Sequence, residues 1–324
     1  MSPSLTRYMF RRLAQVLPIL LGILAVNFVL IHLAPGDPIY LLAGDSGDAA
    51  YYAAMRAKYG LDQPIVNQFV LYLWNAAQGQ FGYSFAYTRP VFEVIGARVP
   101  PTLLLMGSSL VLSISIGLWL GAVAARRANS SVDHVISVGT LIGYGMPAFW
   151  LAQLLVLVFA VRLGWFPIQG MVDLRAAYQG APLVLDILHH LFLPMLTLTL
   201  LHLALVTRLT RTGIRQEQGE DYVRTARAKG LAENQVQQRH AFRNALLPVV
   251  TTVGLQIGML FMGAVLVEII FAWPGLGRLL YDATLNRDYP LLMGIFLSVS
   301  LCVIFANLVT DVIYTFLDPR VKFT

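Results

Sequence analysis

The sequence predicts an all-α membrane protein with six transmembrane helices, and two features of its composition carry that prediction. Apolar residues make up 57% of the 324 residues and charged residues only 12%, whereas soluble domains have about 45–50% and about 25%. The mean hydropathy of +0.67 excludes a disordered chain, because such chains lack the apolar surface to collapse. A single cysteine, Cys302, excludes a disulfide framework and a cysteine-based zinc site.

The third observation is a set of long stretches without charged residues. A bilayer core roughly 30 Å thick needs about 20 apolar helical residues. Six stretches have that length and are numbered as spans 1 to 6: 13–36, 99–125, 135–161, 187–207, 244–267 and 289–314. The last is free of charges to residue 310. The first is expected to stay as an anchor, because its apolar run is longer than that of a signal peptide and no small-residue cleavage site follows it.

A seventh charge-free stretch, 63–88, is not counted as a span. It contains six Asn and Gln residues, and its unbroken apolar run extends only from Phe69 to Trp74. We therefore predict an amphipathic helix that lies on the membrane or on the protein. The expected organisation begins with a cytoplasmic segment (1–12), the first span (13–36) and a periplasmic loop with amphipathic helices (37–98). A five-helix core (99–324) follows, and it contains a cytoplasmic loop (208–243).

The distribution of basic residues sets the orientation. With six spans, 15 of the 23 Lys and Arg residues fall on one side of the membrane, eight of them between 208 and 243. Because loops rich in Lys and Arg stay in the cytoplasm, both termini are predicted to be cytoplasmic. The same bias explains the sequence pI of about 9.5, so nucleic acid is not expected as a partner.

Glycine and proline mark candidate packing and hinge positions within the spans. The pairs Gly117/Gly121, Gly139/Gly143 and Gly254/Gly258 have the GxxxG spacing, which lets helices approach closely. Glycine is also common in transmembrane helices without such a role. Pro147 lies inside span 3, where a kink is expected. Pro248 stands where span 5 begins, and proline is tolerated in a first helical turn.

Motifs for enzymatic chemistry are absent from the sequence. There is no GxxxxGK[ST], so we expect the chain not to hydrolyse ATP alone, and there is no HExxH or GxSxG. His202 lies in the middle of span 4, and Asp311 is the one acid inside a predicted span. Polar groups within the membrane are often functional. The favoured interpretation is nevertheless structural: a bond to a neighbouring helix for His202, and a capping or inter-helix role for Asp311.

The cytoplasmic loop reads as two short helices joined by a turn. Glu220 and Asp221 suit the positive end of a helix dipole, and Arg227 and Lys229 suit its negative end. Gly230 then fits the left-handed position that ends a helix, and a second helix is predicted to run from residue 232 toward 245. Such a basic, bent element could dock in a groove on another protein. Alternatively, it is a solvated loop held by lipid headgroups.

The stretch from 219 to 248 resembles the EAA loop of ABC importer permeases. Arg224-Thr225-Ala226 stand at the Glu-Ala-Ala positions, Gly230 at the glycine, and Ala245-Leu246-Leu247-Pro248 at the closing element, although Arg replaces the Glu and the spacing after the glycine is five residues longer. DYVRTARAKGL and HAFRNALLPVVT are similar to the variant in the dipeptide, oligopeptide and nickel importer permeases. Further segments resemble the B-type subunit of that family: Tyr8–Pro38, Tyr59–Pro64, Gly82–Ser84, Arg98–Leu103, Met146–Leu151, Leu163–Pro167, Glu268–Arg278 and Leu317–Arg320.

The resemblance implies the ABC type I importer permease fold and a chain that is not an enzyme. It would pair with a paralogous permease subunit, receive solute from a binding protein outside, and bind two ATPase subunits inside. ATP and Mg would bind those subunits, and this chain would bind no cofactor or metal. The residues implied in coupling to an ATPase are Tyr222, Arg224, Thr225, Ala226, Lys229, Gly230 and Leu231.

The other candidate sites and the rival functions are less sharply defined. Gly143, Pro147 and Pro248 are the candidate hinge or packing residues. The candidates for a pore or gate are His202, Glu268, Pro274, Gly275 and Asp311. The rivals are a proton-coupled secondary transporter centred on Asp311 and a membrane-embedded enzyme. Nothing in the sequence selects among dipeptides, longer peptides, nickel chelates, glutathione-like conjugates or sugars as the solute.

Overall fold

A computed structural model describes residues 3–33, 48–58, 62–236 and 242–317. Across these residues the secondary structure is helical, and the sole β pairing is an isolated bridge between Tyr83 and Pro90. The helices, in chain order, are α1 Pro3–Leu33, α2 Ala49–Lys58, α3 Ile65–Ala77, α4 Val91–Arg126, α5 Ser131–Gly145, α6 Ala148–Leu155 with a π-helical continuation Val156–Arg162, α7 Ala181–Glu217, α8 Asp221–Ala228, α9 Glu233–Val236, α10 Phe242–Ile270, α11 Leu276–Leu285 and α12 Tyr289–Leu317.

Several of these helices are long and apolar enough to cross a membrane. Among the described residues three meet that standard singly, namely α4, α7 and Tyr289–Thr310 of α12, and the bent pair α5–α6 is a fourth if it counts as one span. Helices α1 and α10 cover most of predicted spans 1 and 5. The all-helical class is confirmed, whereas the count of six spans, the cytoplasmic termini and the segment boundaries remain predictions.

Predicted span 3 is broken at Pro147. Helix α5 ends at Gly145, and α6 begins at Ala148 at an angle of 104° to it. Met146 is extended, with φ −83° and ψ 135°, because the residue before a proline is disfavoured in the helical region. The break therefore falls where a kink is expected, but the chain turns through more than a right angle instead of bending gently.

Helices α4 and α7 pack closely at a pair of glycines. A Cβ on Gly121 would lie 2.5 Å from the Thr210 Cβ, and one on Gly117 would lie 2.7 Å from the Val206 Cβ. Only a residue without a side chain permits this approach, so the Gly117/Gly121 motif is a true packing motif. A Cβ on Gly139 would meet nothing within 4 Å, so that glycine makes no such contact.

The chain divides into two compact units. One comprises Met1–Pro100 with Leu279–Phe305, and the other comprises Pro101–Arg278 with Ala306–Lys322. In the first, the buried Asp288 accepts hydrogen bonds from the Ser84 hydroxyl (2.5 Å) and the Ala86 amide (3.0 Å), and its other oxygen caps the Leu291 amide of α12 (3.2 Å). In the second, the main apolar cluster draws on α4, α6, α7 and α10.

Candidate functional site

The cytoplasmic loop forms an elbow, a name used here for residues 218–236. Helix α7 continues to Glu217, a short turn follows, and α8 runs from Asp221 to Ala228. Glu220 occupies the N-cap position in an extended conformation, and Asp221 places an acid in the first turn, where it favours the helix dipole. The predicted helix start at 220–221 is confirmed.

Gly230 ends α8 in the left-handed conformation. Lys229 is the C-cap, and Gly230 follows it with φ +79°. This conformation costs an ordinary residue roughly 1–2 kcal/mol, whereas glycine has no Cβ to clash. The left-handed glycine predicted from sequence is confirmed, and it turns the chain toward α9.

The inner face of the elbow is a small apolar cluster. Val223, Ala226 and Val236 are buried against one another. Val223 and Ala226 are three residues apart and therefore share one face of α8. Ala226, which the resemblance places among the coupling residues, thus lies inside the elbow and holds α8 against α9.

The outer face of the elbow is basic and exposed. The side chains exposed there are those of Arg224, Thr225, Arg227, Lys229 and Leu231, and the acids Glu220 and Asp221 at the start of α8 are exposed as well. Arg224 approaches Asp221 at 3.6 Å, but both side chains are mostly in solvent, so this pair contributes little to stability. The face therefore presents cationic groups next to one aliphatic side chain.

Tyr222 connects the elbow to the two long helices that flank it. Its hydroxyl donates a hydrogen bond to a Glu217 carboxylate oxygen at the end of α7. The Tyr222 hydroxyl oxygen accepts a 3.0 Å hydrogen bond from the side-chain amide of Asn244, in the first turn of α10. One side chain on α8 is thus tied to the ends of both neighbouring helices.

The surroundings of Tyr222 change its acidity. Partial burial, and then the hydrogen bond to the Glu217 carboxylate, raise the pKa of the Tyr222 hydroxyl to about 12, against the opposing effect of the donor Asn244. Both main causes disfavour the phenolate, because it would be less solvated and would face a carboxylate. The hydroxyl therefore remains a hydrogen-bond donor throughout the neutral range.

Helices α7 and α10 touch directly at the base of the elbow. A Cβ on Gly213 would lie 3.0 Å from the Ala245 carbonyl oxygen. Ala245 and Ile214 are buried with Ala125 from the end of α4. Close backbone packing at this point means that a displacement of α7 is passed to α10 by contact.

A partly buried ion pair lies near the same end of α7. Arg211 donates from Nε and Nη2 to the two carboxylate oxygens of Asp133, each at 2.6 Å. Ser130 caps α5, and Asp133 also accepts from the Asn129 amide at 2.9 Å. Sequence analysis missed this pair, although Asp133 three residues after a capping serine is a recognisable signal of an acid at a helix start.

Glu268, a candidate pore or gate residue, is fully buried and engaged in packing. Its Oε1 accepts a 2.7 Å hydrogen bond from the Thr102 hydroxyl, and its Oε2 accepts a 3.0 Å bond from the Arg278 amide. The Thr102 oxygen in turn accepts from the Leu276 amide at 2.7 Å. These acceptors satisfy amides at the start of α11 that the helix itself leaves unpaired.

Gly275 is required by the same cluster. A Cβ at this position would lie 2.1 Å from Glu268 Oε1, so the glycine lets the turn pass over the carboxylate. The neighbouring Trp273 is buried and donates from its indole nitrogen to the Pro101 carbonyl oxygen at 2.9 Å. In this conformation Glu268 and Gly275 are parts of a packed turn, with Pro274 half-buried between them.

The remaining candidate residues are spread over the helices. His202 is half-buried within α7, and a Cβ on Gly143 would lie 3.2 Å from the Leu200 carbonyl oxygen. Pro248 is not in a first turn as expected, because α10 already begins at Phe242. Asp311 lies along α12, but its side chain is outside the described part of the chain. Among the described residues, no cluster of His, Cys, Asp or Glu is suited to a metal ion.

Two family models place this helical membrane protein in the class of membrane transport permeases. The N-terminal part, residues 5–106, matches the family model "Binding-prot-dependent transport system membrane comp, N-term". The core, residues 117–323, matches "Binding-protein-dependent transport system inner membrane component". The chain belongs to this family of inner-membrane components of binding-protein-dependent ABC importers.

Full-length relatives support the same assignment. The chain is 41% identical to the oligopeptide transport system permease protein AppB of Bacillus subtilis, over 98% of this chain and 99% of the relative. It is 37% identical to the dipeptide transport system permease protein DppB of Escherichia coli K12, over 98% of both chains. It is 40% identical to the glutathione transport system permease protein GsiC of Escherichia coli O1:K1, over 98% and 99%.

A solved structure shares the fold. The chain is similar to an inward-facing structure of the MetNI methionine ABC transporter, with a TM-score of 0.55 and 16% identity, over 70% of this chain and 97% of that one. The ABC importer permease fold and a multi-pass place in the inner membrane are thereby confirmed. The family is a transport component and not an enzyme, and it works with ATPase and substrate-binding partners. The proton-coupled and enzymatic alternatives are not favoured.

Proposed function

We propose that this chain is one of two paralogous permease subunits of a peptide importer. In this proposal, an ATPase subunit binds the chain at the elbow. Relatives named as oligopeptide and dipeptide permeases align with 98% of the chain, which supports peptides as the solute class. The chain itself binds no cofactor in this proposal. The sequence of this chain has no phosphate-binding loop of the GxxxxGK[ST] type. In the proposal, ATP and Mg therefore bind the separate ATPase subunits.

The coupling role is proposed because the elbow has an inner and an outer face. On the inner face, Val223, Ala226 and Val236 pack against one another. The outer face leaves basic and aliphatic groups unburied, which suits a docking groove lined by acidic and apolar residues. We assign docking to Arg224, Thr225, Lys229, Gly230 and Leu231, positioning to Tyr222, and internal packing to Ala226.

Transmission then follows from the contacts at the base of the elbow. A force on α8 passes through Tyr222 to the ends of α7 and α10, and those two helices are in contact at Gly213 and Ala245. An ATPase shifts the inward–outward equilibrium only through a difference in affinity for the two states. Helix α8 is short and is tied to α7 and α10, so it moves together with them. Its docking surface is therefore in a different position in the two states, and the ATPase binds the two states with different affinity.

Cross-linking in the assembled importer tests the docking role. Thr225→Cys is made in a Cys302→Ala background and labelled with a maleimide–succinimide reagent that reaches lysines on a neighbouring protein. The control is Leu174→Cys, 88% exposed and predicted to lie in an outer loop. We expect cross-links from position 225, but not 174, to an ATPase subunit. An active complex in which position 225 yields no such cross-link contradicts the proposal.

A further inference from the structure

Helix α3 packs against α1 through one of its faces. The Phe28 ring of α1 lies 5.1 Å from the Phe69 ring and 6.0 Å from the Tyr72 ring, measured between centroids. His32 of α1 contacts the Gln68 side chain at 3.1 Å. The amphipathic helix expected within 63–88 is thus present, and this face of it lies on the protein.

The opposite face of α3 is open and mostly apolar, with the exposed Asn67 beside its apolar residues. Val66, Val70 and Trp74 follow one another at four-residue intervals, so they form one stripe. Their side chains are 67%, 59% and 66% exposed. No Asp, Glu, Lys or Arg occurs from residue 63 to residue 88, which is unusual for a water-facing surface of that length.

The contact with α1 sets the depth of α3 relative to the membrane. Phe28 lies five residues before Leu33, the last residue of α1, and predicted span 1 extends to residue 36. At 1.5 Å per residue, those five residues correspond to about 7.5 Å along the helix axis. Helix α3 therefore meets α1 inside the span and not beyond its end. Amphipathic helices at a bilayer surface bury their apolar face to a similar depth, about 5–10 Å.

Helix α1 also carries exposed apolar side chains. Val26 and Val29 on α1 are 59% and 52% exposed, and they belong to a predicted span whose outward side faces lipid. Tryptophan is enriched at the level of the headgroups. We propose that α3 is an interfacial membrane helix whose stripe Val66–Val70–Trp74 is inserted among the acyl chains of the outer leaflet, where it anchors the loop between spans 1 and 2.

Spin labelling of the reconstituted importer tests this proposal. Val70→Cys is labelled with a nitroxide in the Cys302→Ala background, and its collisions with oxygen and with a water-soluble nickel chelate are measured. Val29→Cys provides the lipid reference and Leu174→Cys the aqueous reference. We expect the oxygen-to-nickel ratio at position 70 to match that at 29 and to be several-fold higher than that at 174.

Two results would overturn the proposal. Nickel accessibility at position 70 equal to that at 174 means that the stripe faces water. Low accessibility to both reagents means that a protein surface, such as the second permease subunit, covers it.

A second measurement needs no spin label and probes Trp74 itself. Dibrominated phosphatidylcholine should quench tryptophan fluorescence of the unmodified complex more than that of Trp74→Phe. Equal fractional quenching of the two proteins contradicts the insertion of Trp74. Neither experiment depends on the elbow, so each can fail without affecting the coupling role.

Discussion

Arg211 on α7 holds Asp133 on α5 through two parallel hydrogen bonds, each 2.6 Å long. The Asp133 side chain is almost fully buried, whereas that of Arg211 is 26% exposed. A planar guanidinium matches a carboxylate in this two-point geometry better than any other side chain. The pair therefore fixes the start of α5 against the part of α7 that leads into the elbow.

Replacing Asp133 should destabilise the protein. Asp133→Asn leaves a partly buried arginine without its anion, and breaking a buried pair costs about 3–5 kcal/mol. We expect about 3 kcal/mol, the lower end, because water still reaches Arg211. The midpoint of thermal denaturation of the purified complex should fall clearly. The control, Asp221→Asn, removes the exposed contact with Arg224 and should cost less than about 1 kcal/mol. Equal midpoints for both variants would refute the structural role of the Asp133 pair.

The packing of α4 on α7 predicts that replacement by alanine has opposite effects on stability at two glycines, although both belong to GxxxG pairs. Gly121→Ala places a Cβ 2.5 Å from the Thr210 Cβ and forces the helices apart, at a cost of about 1–3 kcal/mol. Gly139→Ala meets open space and should be neutral, or more stable by up to about 1 kcal/mol, because alanine favours helix. Thermal denaturation of both variants measures the difference. A stable Gly121→Ala variant would show that α4 and α7 are not in this contact.

The raised pKa of Tyr222 predicts an alkaline dependence of stability. A tyrosine in the unfolded chain has a pKa of about 10, and in the folded protein that of Tyr222 is about 12. The unfolded state therefore loses its proton first, so the stabilisation is complete below pH 10 and is lost as the pH rises toward 12. The difference in denaturation midpoint between wild type and Tyr222→Phe should shrink over that interval. A difference that stays constant to pH 12 would show that the hydroxyl does not make these bonds.

Features that depend on residues close in sequence were predictable. Gly230 ends a helix because its own backbone permits the left-handed conformation, and Pro147 breaks span 3 because it constrains its neighbour Met146. The start of α8 follows from two adjacent acids. Each of these positions depends on a few neighbouring residues and was therefore predictable, whereas the 104° turn at Pro147 exceeds the kink that was expected.

Features that depend on residues far apart in the sequence were not predictable. Asp133 and Arg211 are 78 residues apart, and Thr102 and Glu268 are 166 apart. In a count of loop charges Arg211 is only one more cytoplasmic cation. Ala226 looks like a small docking residue until Val236 is seen to pack on it. Pairing of this kind is set by how the helices associate, which hydropathy and motif spacing do not report.

Substitution at Gly230 tests the central claim, that the elbow transmits the work of a separate ATPase. In proteoliposomes containing the full importer, solute taken up is measured against ATP hydrolysed. Gly230→Asn is the matched control, because asparagine tolerates the left-handed conformation without much added bulk. Gly230→Trp strains the left-handed turn and also fills the docking surface with a large side chain. We predict that the asparagine variant transports nearly as wild type and the tryptophan variant loses ATP-driven uptake. Unchanged uptake by Gly230→Trp at normal expression would contradict the account.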